Sequence, residues 1–400
     1  MATARRPARV PIEVAAKPGQ PLGMPPARFL RYYWQKQPLL IRHAFPQHRD
    51  AITPNDLAGL ACEESALARV VVHDAKRDRW TLRNGPFREA DFAKLPKSRW
   101  TLLVQDVDKW DADVAALLDE FAFLPAWRID DIMVSYATDG GGVGPHVDQY
   151  DVFLVQGSGR RRWRISTDAA APKAFRDDVD LKLLKEFAPT HEWTLEAGDA
   201  LYLPPGVPHD GVAVGECLTL SVGMRAPSVA ELVIDLAESV AEPLGEDRRY
   251  RDPDLKPARD AHEIDAAALV RVRQALEALL DGDPARRRAW FGRFITRYRS
   301  AQAAAPASRR TTVEVLSRRL RSARVFRNPW SRIAWTRCGR SAEMFVGGEA
   351  WSCSVAFAKT LAHARELAGD ALLRVARPGD LRVLAELIDA GHFVVAARGR

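Results

Sequence analysis

The stretches VGPHVDQYDVFLVQGSGRRRWRI, residues 143–165, and EAGDALYLPPGVPHDG, residues 196–211, decide the fold of this 400-residue chain. Both are short apolar runs broken by glycine and proline, the punctuation of strands joined by tight turns. The same cadence runs through HEWTLE and ECLTLSVGMR to about Arg225. It predicts an antiparallel double-sheet roll or barrel. In the first stretch His146 and Asp148 stand at i and i+2 at the edge of a strand, so their side chains share a face. Such an H-x-D pair by itself arises by chance in any long chain and usually marks a surface turn. In the second, Gly198, Pro204, Gly206 and His209 have the spacing G-x5-P-x-G-x2-H. A turn built on Pro204, Pro205 and Gly206 brings His209 off a strand into the barrel mouth, where it can meet the H-x-D pair.

That spacing resembles the second metal-binding motif of cupin barrels, with Ala213 where an Asn is customary. Two imidazoles and one carboxylate on one side of a metal form a facial triad, which suits Fe(II) and leaves positions open for a co-substrate and O2. A closed zinc site would need a fourth ligand. The four cysteines, Cys62, Cys217, Cys338 and Cys353, have no zinc-like spacing, which fits reduced thiols in a cytosol rather than disulfides. His191 stands at a strand start and reads as structural. On the return strand, alternation puts Arg161 and Trp163 on one face and Arg160 and Arg162 on the other. If Trp163 is interior, Arg161 is too, and a buried guanidinium demands an anion such as the far carboxylate of 2-oxoglutarate. The bland alternative is a basic hairpin edge in water.

Outward from these motifs, Pro25 onward predicts a helix ending near Pro38 and then a short strand, PLLIR. Thr53-Pro54 opens a second helix running through LAGLACEESALA, and DADVAALLDEFAFL predicts a third. After Pro227 the grammar turns helical, with VAELVIDLAESVAEPL and AALVRVRQALEALLDG apolar at three- and four-residue spacing. AQAAAPAS, 301–308, reads as a linker or helix edge, and the last piece has the helix, helix, strand order of a winged helix. The net charge of +7 is uneven: Pro284 to Arg340 holds sixteen arginines and one acid, Glu314, leaving the remainder negative. This segment is either a solvated helix face or a surface for RNA or the ribosome. The N-terminus lacks the apolar segment of a secretory signal, and no run is long enough to span a membrane, so a cytoplasmic protein with no membrane partner is expected.

Together with the lead-in FLRYYWQKQPLLIRHAFP, the two motif stretches resemble the bacterial JmjC-type ribosomal oxygenases, closely over residues 25–227 and loosely beyond. Most JmjC proteins have lysine where Arg161 stands; the bacterial ribosomal oxygenases have arginine. The resemblance implies an α+β fold: a double-stranded β-helix of the JmjC/cupin type (1–228), a helical dimerisation region (229–300) and a winged-helix-like domain (301–400). It implies Fe(II) on His146, Asp148 and His209, with 2-oxoglutarate and O2 as co-substrates, and hydroxylation of the β-carbon (C3) of an arginine in ribosomal large-subunit protein sixteen. Arg161 and Ser135 would serve the co-substrate. Asp131, Met133, Tyr150 and Ser221 would hold the target arginine, and alternation along DDIMVSYA indeed puts Asp131, Met133 and Ser135 on one face. A homodimer is expected. The rivals are a ribosomal histidine hydroxylase, a silent ribosome- or RNA-binding protein with a relic barrel, and a cupin isomerase or small-molecule dioxygenase.

Overall fold

The computed structural model describes residues 10–245, 248–257, 262, 264–280, 283–297 and 304–397. The start of the N-terminal stretch, the expected boundary between 300 and 301, and residues 298–303 of the arginine-rich segment and linker lie outside the described residues. The chain divides into two compact units, Met1–Ala226 and Pro227–Arg400.

The first unit is one ten-stranded sheet rolled on itself. Its strands are β1 (Glu13–Ala15), β2 (Leu39–Arg42), β3 (Ala68–Asp74), β4 (Arg79–Asn84), β5 (Trp100–Val104), β6 (Ile129–Ala137), β7 (Val152–Ile165), β8 (His191–Glu196), β9 (Ala200–Leu203) and β10 (His209–Met224). The order is β1-β2-β9-β7-β10-β6-β5-β3-β4, with β8 added beside β7. Two long strands make the roll. The first half of β7 pairs with β9 and its second half with β8, while β10 runs antiparallel to it throughout. The change of partner falls at Gly157-Ser158-Gly159, where the β7/β10 register shifts. Gly159 has φ +62°, and a Cβ there would sit 2.0 Å from the Glu216 carbonyl oxygen, so only glycine fits this bend.

The apolar faces close on an aromatic core in which Phe29, Tyr33, Phe121, Phe153 and Tyr202 are fully buried. Asp151, at the foot of β7, is fully buried too: its carboxylate accepts from Tyr202, Gln35 and Arg128. This ties the segment after the H-x-D pair to the core.

Three expected helices are shorter. The first spans Pro26–Tyr32, because Gln35 takes a left-handed turn (φ 55°) before Pro38. The second stops at Leu60, where the chain turns so that Ala61 can accept from Phe87 N. The third starts where expected, with the Asp111 carboxylate capping it at Asp113 and Val114, but is α-helical only over Ala112–Ala116 and tightens into a 3-10 turn at Leu117–Phe121; a separate short helix, Val107–Trp110, precedes it. The H-x-D pair lies just off the strands, joined to β10 by a single bridge between His146 and His209.

The second unit has two three-stranded antiparallel sheets. One orders β15 (Glu366–Ala368), β11 (Ala323–Arg327) and β16 (Phe393–Ala397); the other is the meander β12 (Ile333–Cys338), β13 (Ser341–Val346), β14 (Glu349–Ser354). Helices Val313–Leu320, Val355–His363 and Pro378–Asp389 pack on them around Leu316, Val325, Met344, Phe357 and Leu384. Helix Pro284–Thr296 lies close because Gly292 lets Phe345 approach: a Cβ would be 2.3 Å from that ring. Helices Val229–Ala241 and Ala266–Leu280 leave Val229, Val233, Ile234, Leu269 and Leu276 more than half exposed.

Candidate active site

A cavity of about 240 Å³ opens inside the roll, and its walls carry every site residue expected from the sequence: His146, Asp148, His209, Arg161, Ser135, Asp131, Met133, Tyr150 and Ser221. The strand registers explain the convergence. Thr219 and Ser221 of β10 stand across from Ser135 and Met133 of β6, while Ala213, Gly211 and His209 stand across from Arg161, Trp163 and Ile165 of β7. Gly211 is required there, since a Cβ would lie 2.6 Å from the Trp163 ring.

His146, Asp148 and His209 each offer a ligand atom, all within 4.8 Å of one another. His209 Nε2 lies 3.5 Å and His146 Nε2 4.0 Å from Asp148 Oδ2. The far ring nitrogens are held: His146 Nδ1 donates to the Gly144 carbonyl (2.8 Å) and His209 Nδ1 to the Val207 carbonyl (2.9 Å). These bonds fix the tautomer that leaves each Nε2 lone pair facing the carboxylate. Burial and the neighbouring His146 push His209 down to about 4, so it is a neutral donor at physiological pH. Two imidazoles and a carboxylate fit a divalent transition metal in the facial arrangement.

Arg161 is buried, as the alternation predicts, with Trp163 beside it and Arg160 and Arg162 outside. Its guanidinium donates to Ser135 Oγ (3.0 Å), Thr219 Oγ1 (3.3 Å) and the Gly211 carbonyl (3.2 Å), and its Nε is buried without an acceptor. Every one of these partners is neutral. Burial lowers the Arg161 pKa, yet a guanidinium stays charged, so the pocket holds a cation suited to a carboxylate. Ala213 of β10, where an Asn is customary, pairs directly with Arg161 of β7.

Nearer the mouth, Asp131 accepts from Asp106 N, and its pKa is pushed up to about 6 by burial and then by Asp130. Burial, then Asp148, raises the Tyr150 pKa and keeps its phenol protonated. Met133 Sδ meets Arg69 Nη2 at 3.8 Å. Sequence reading passed over Thr219 and Arg69. Thr219 could have been found, since it precedes Ser221 by two residues on one strand face; Arg69 comes from a distant hairpin with no local signal. His191 is structural, stacked on Trp193.

Residues 116–232 match the JmjC domain family and residues 271–393 the ROXA-like winged helix. The Escherichia coli ribosomal protein uL16 3-hydroxylase is 39% identical over 278 residues, covering 70% of this chain and 73% of the relative. The chain belongs to the JmjC ribosomal oxygenases. The crystal structure of Escherichia coli ribosomal oxygenase YcfD matches with a TM-score of 0.81 at 33% identity, over 93% of this chain and 98% of that one. Another structure of that ribosomal oxygenase, in complex with cobalt and 2-oxoglutarate, matches with a TM-score of 0.80 at 34% identity and the same coverage. The α+β architecture of a JmjC barrel followed by a winged helix is therefore that of the family, and no helix among the described residues is long and apolar enough to cross a membrane.

Proposed function

We propose that this ribosomal oxygenase hydroxylates C3 of an arginine in a large-subunit ribosomal protein, the counterpart of uL16, using Fe(II), 2-oxoglutarate and O2. The observation that carries the reading is one cavity lined by a two-histidine, one-carboxylate set and by a buried arginine with only neutral partners. His146, Asp148 and His209 would hold the iron and Arg161 the far carboxylate of 2-oxoglutarate, with Ser135 and Thr219 orienting the guanidinium. With these bound, the site supplies an oxidation in which one oxygen atom of O2 enters a C–H bond and the other goes to succinate, with loss of CO2.

The rest is positioning by the chain itself. Asp131 would take the target guanidinium, Met133 would line its methylene stem, and Tyr150 and Ser221 would close the pocket around it. The acid favours arginine over a neutral imidazole, which sets this reading ahead of histidine hydroxylation. The lining set likewise counts against a relic barrel.

The same proposal divides the chain at 1–228, 229–300 and 301–400, places it in the cytoplasm, and makes it a homodimer through the exposed apolar stripes of Val229–Ala241 and Ala266–Leu280. Contact of the 284–340 segment with RNA or the ribosome rests on its charge, part of which is used internally: Arg293 pairs with Glu349, Arg297 with Asp235, and Arg319 donates to the Val395 carbonyl. Mass spectrometry of ribosomal proteins from cells with and without this gene tests the function. An arginine peptide heavier by one oxygen atom should disappear on deletion; a shifted histidine peptide instead would overturn the arginine assignment.

A further inference from the structure

The first unit holds a second cavity, of about 390 Å³, that shares no lining residue with the active-site cavity. It lies against the outer face of the barrel, on the side of β7 opposite Arg161 and Trp163. Five basic side chains line it, Arg99, Arg162, Arg164, Arg176 and Lys185, against two acids, Asp78 and Asp210. Both acids are engaged: Asp78 pairs with Arg176 (2.7 Å) and Asp210 with Arg164 (2.5 Å). Lys185 pairs with Asp177 at 3.1 Å, and Arg176 also with Asp178 at 2.7 Å.

The guanidiniums of Arg99 and Arg162 have no hydrogen-bond or ion-pair partner among the described residues. For Arg162 the sheet dictates this. Across β7, Arg160 faces Glu196, and Arg164 faces Glu192 and Asp210, but Arg162 stands between Thr194 on β8 and Val212 on β10. Arg164 adds a buried Nε with no acceptor. The walls are firm, since His73 stacks on Trp80 with ring centroids 3.9 Å apart and planes 9° from parallel.

We propose that this cavity is a second binding site, for a phosphate group. Two uncommitted guanidiniums and a spare Arg164 donor call for a ligand with more than one negative charge and several acceptor oxygens, which a phosphate group has and a lone carboxylate lacks. The volume is in the range of small-ligand sites. The phosphate could belong to an RNA backbone or to a free phosphate compound.

Calorimetric titration of the full chain with inorganic pyrophosphate, and separately with an unstructured RNA hexamer, tests this. Pyrophosphate should bind the wild type, and the Arg99→Ala/Arg162→Ala double variant should bind it at least tenfold more weakly. Arg160→Ala, which removes an equal charge from the same strand face outside the cavity, should bind as the wild type does. All three proteins should keep the same thermal midpoint, since Arg99, Arg160 and Arg162 are exposed. A parallel loss with the hexamer assigns the site to an RNA backbone; an unaffected hexamer alongside a lost pyrophosphate signal assigns it to a free phosphate compound. No pyrophosphate binding by the wild type, or an equal loss in Arg160→Ala, overturns the proposal.

Discussion

Replacing Arg161 by Met keeps most of the side-chain volume and removes the buried charge, so its consequences for the free protein and for co-substrate binding should point in opposite directions. In the free protein the guanidinium is buried among Ser135, Thr219 and the Gly211 carbonyl, all neutral. Removing it leaves the Gly211 carbonyl without this donor, at a cost of about 1–3 kcal/mol. It also relieves the desolvation of a buried ion, an effect of several kcal/mol in the other direction. The ligand-free fold should therefore be unchanged in stability or gain. With 2-oxoglutarate the sign reverses. Breaking one side of a buried ion pair costs about 3–5 kcal/mol, a hundredfold or more in affinity at about 1.4 kcal/mol per tenfold. The assay is thermal unfolding with cobalt(II) in the site, which permits binding without turnover. At about one hundred times the wild-type Kd, 2-oxoglutarate stabilises by about 2.7 kcal/mol, and a hundredfold weaker variant gains only about 0.4 kcal/mol at the same concentration. For a unit of this size these correspond to midpoint shifts of about 5–10 °C against about 1 °C. An Arg161→Met protein that is shifted as far as the wild type would move the carboxylate anchor elsewhere. One whose ligand-free midpoint falls by several degrees would show that the guanidinium's neutral hydrogen bonds outweigh its desolvation.

Asp131→Asn should lower hydroxylation of an arginine peptide tenfold or more, while decarboxylation of 2-oxoglutarate without peptide persists; equal peptide turnover would remove Asp131 as the guanidinium partner. Because burial lifts the Asp131 pKa to about 6, the carboxylate is charged above that pH and neutral below it. The KM for the peptide should accordingly rise as pH falls through about 6 in the wild type, and this component should be missing from the Asn variant. Asp148→Ala should abolish peptide hydroxylation and succinate formation together with an unaltered circular-dichroism spectrum, and residual turnover would contradict the ligand assignment. Leu269→Glu with Leu276→Glu, on a helix whose apolar side is exposed, should turn a dimer into a monomer by sedimentation; a wild type that already sediments as a monomer refutes the dimer. If the 284–340 segment meets RNA, the logarithm of its affinity should fall linearly with that of salt concentration, and a flat response would return those arginines to the solvated-face reading.

What the sequence discloses about this fold, and what it conceals, divides along the difference between local and long-range constraint. The turn before His209 is set by residues next to one another in the chain and is legible from spacing alone, whereas Gly211 facing the Trp163 ring and Gly159 against the Glu216 carbonyl are required only once β7 lies beside β10. Period-two alternation gives the faces of β6 and β7 as locally as the turn does, since it needs only the strand's own pleat. The helices were overestimated because their ends are set by distant partners. Leu60 ends its helix as Ala61 turns to accept from Phe87, twenty-six residues on. Arg69 belongs to the cavity only through pairings of β3 with β5 and β5 with β6, which a single sequence does not announce. The outer face of β7 shows the same limit from the other side. Four arginines in five residues look alike in sequence, yet one is buried beside neutral partners, two stand across from acids, and Arg162 stands across from none. That difference lies in the register of β8 and β10 against β7, and it is the register, more than the number of charges, that makes one face of this strand a co-substrate anchor and the other a candidate anion site.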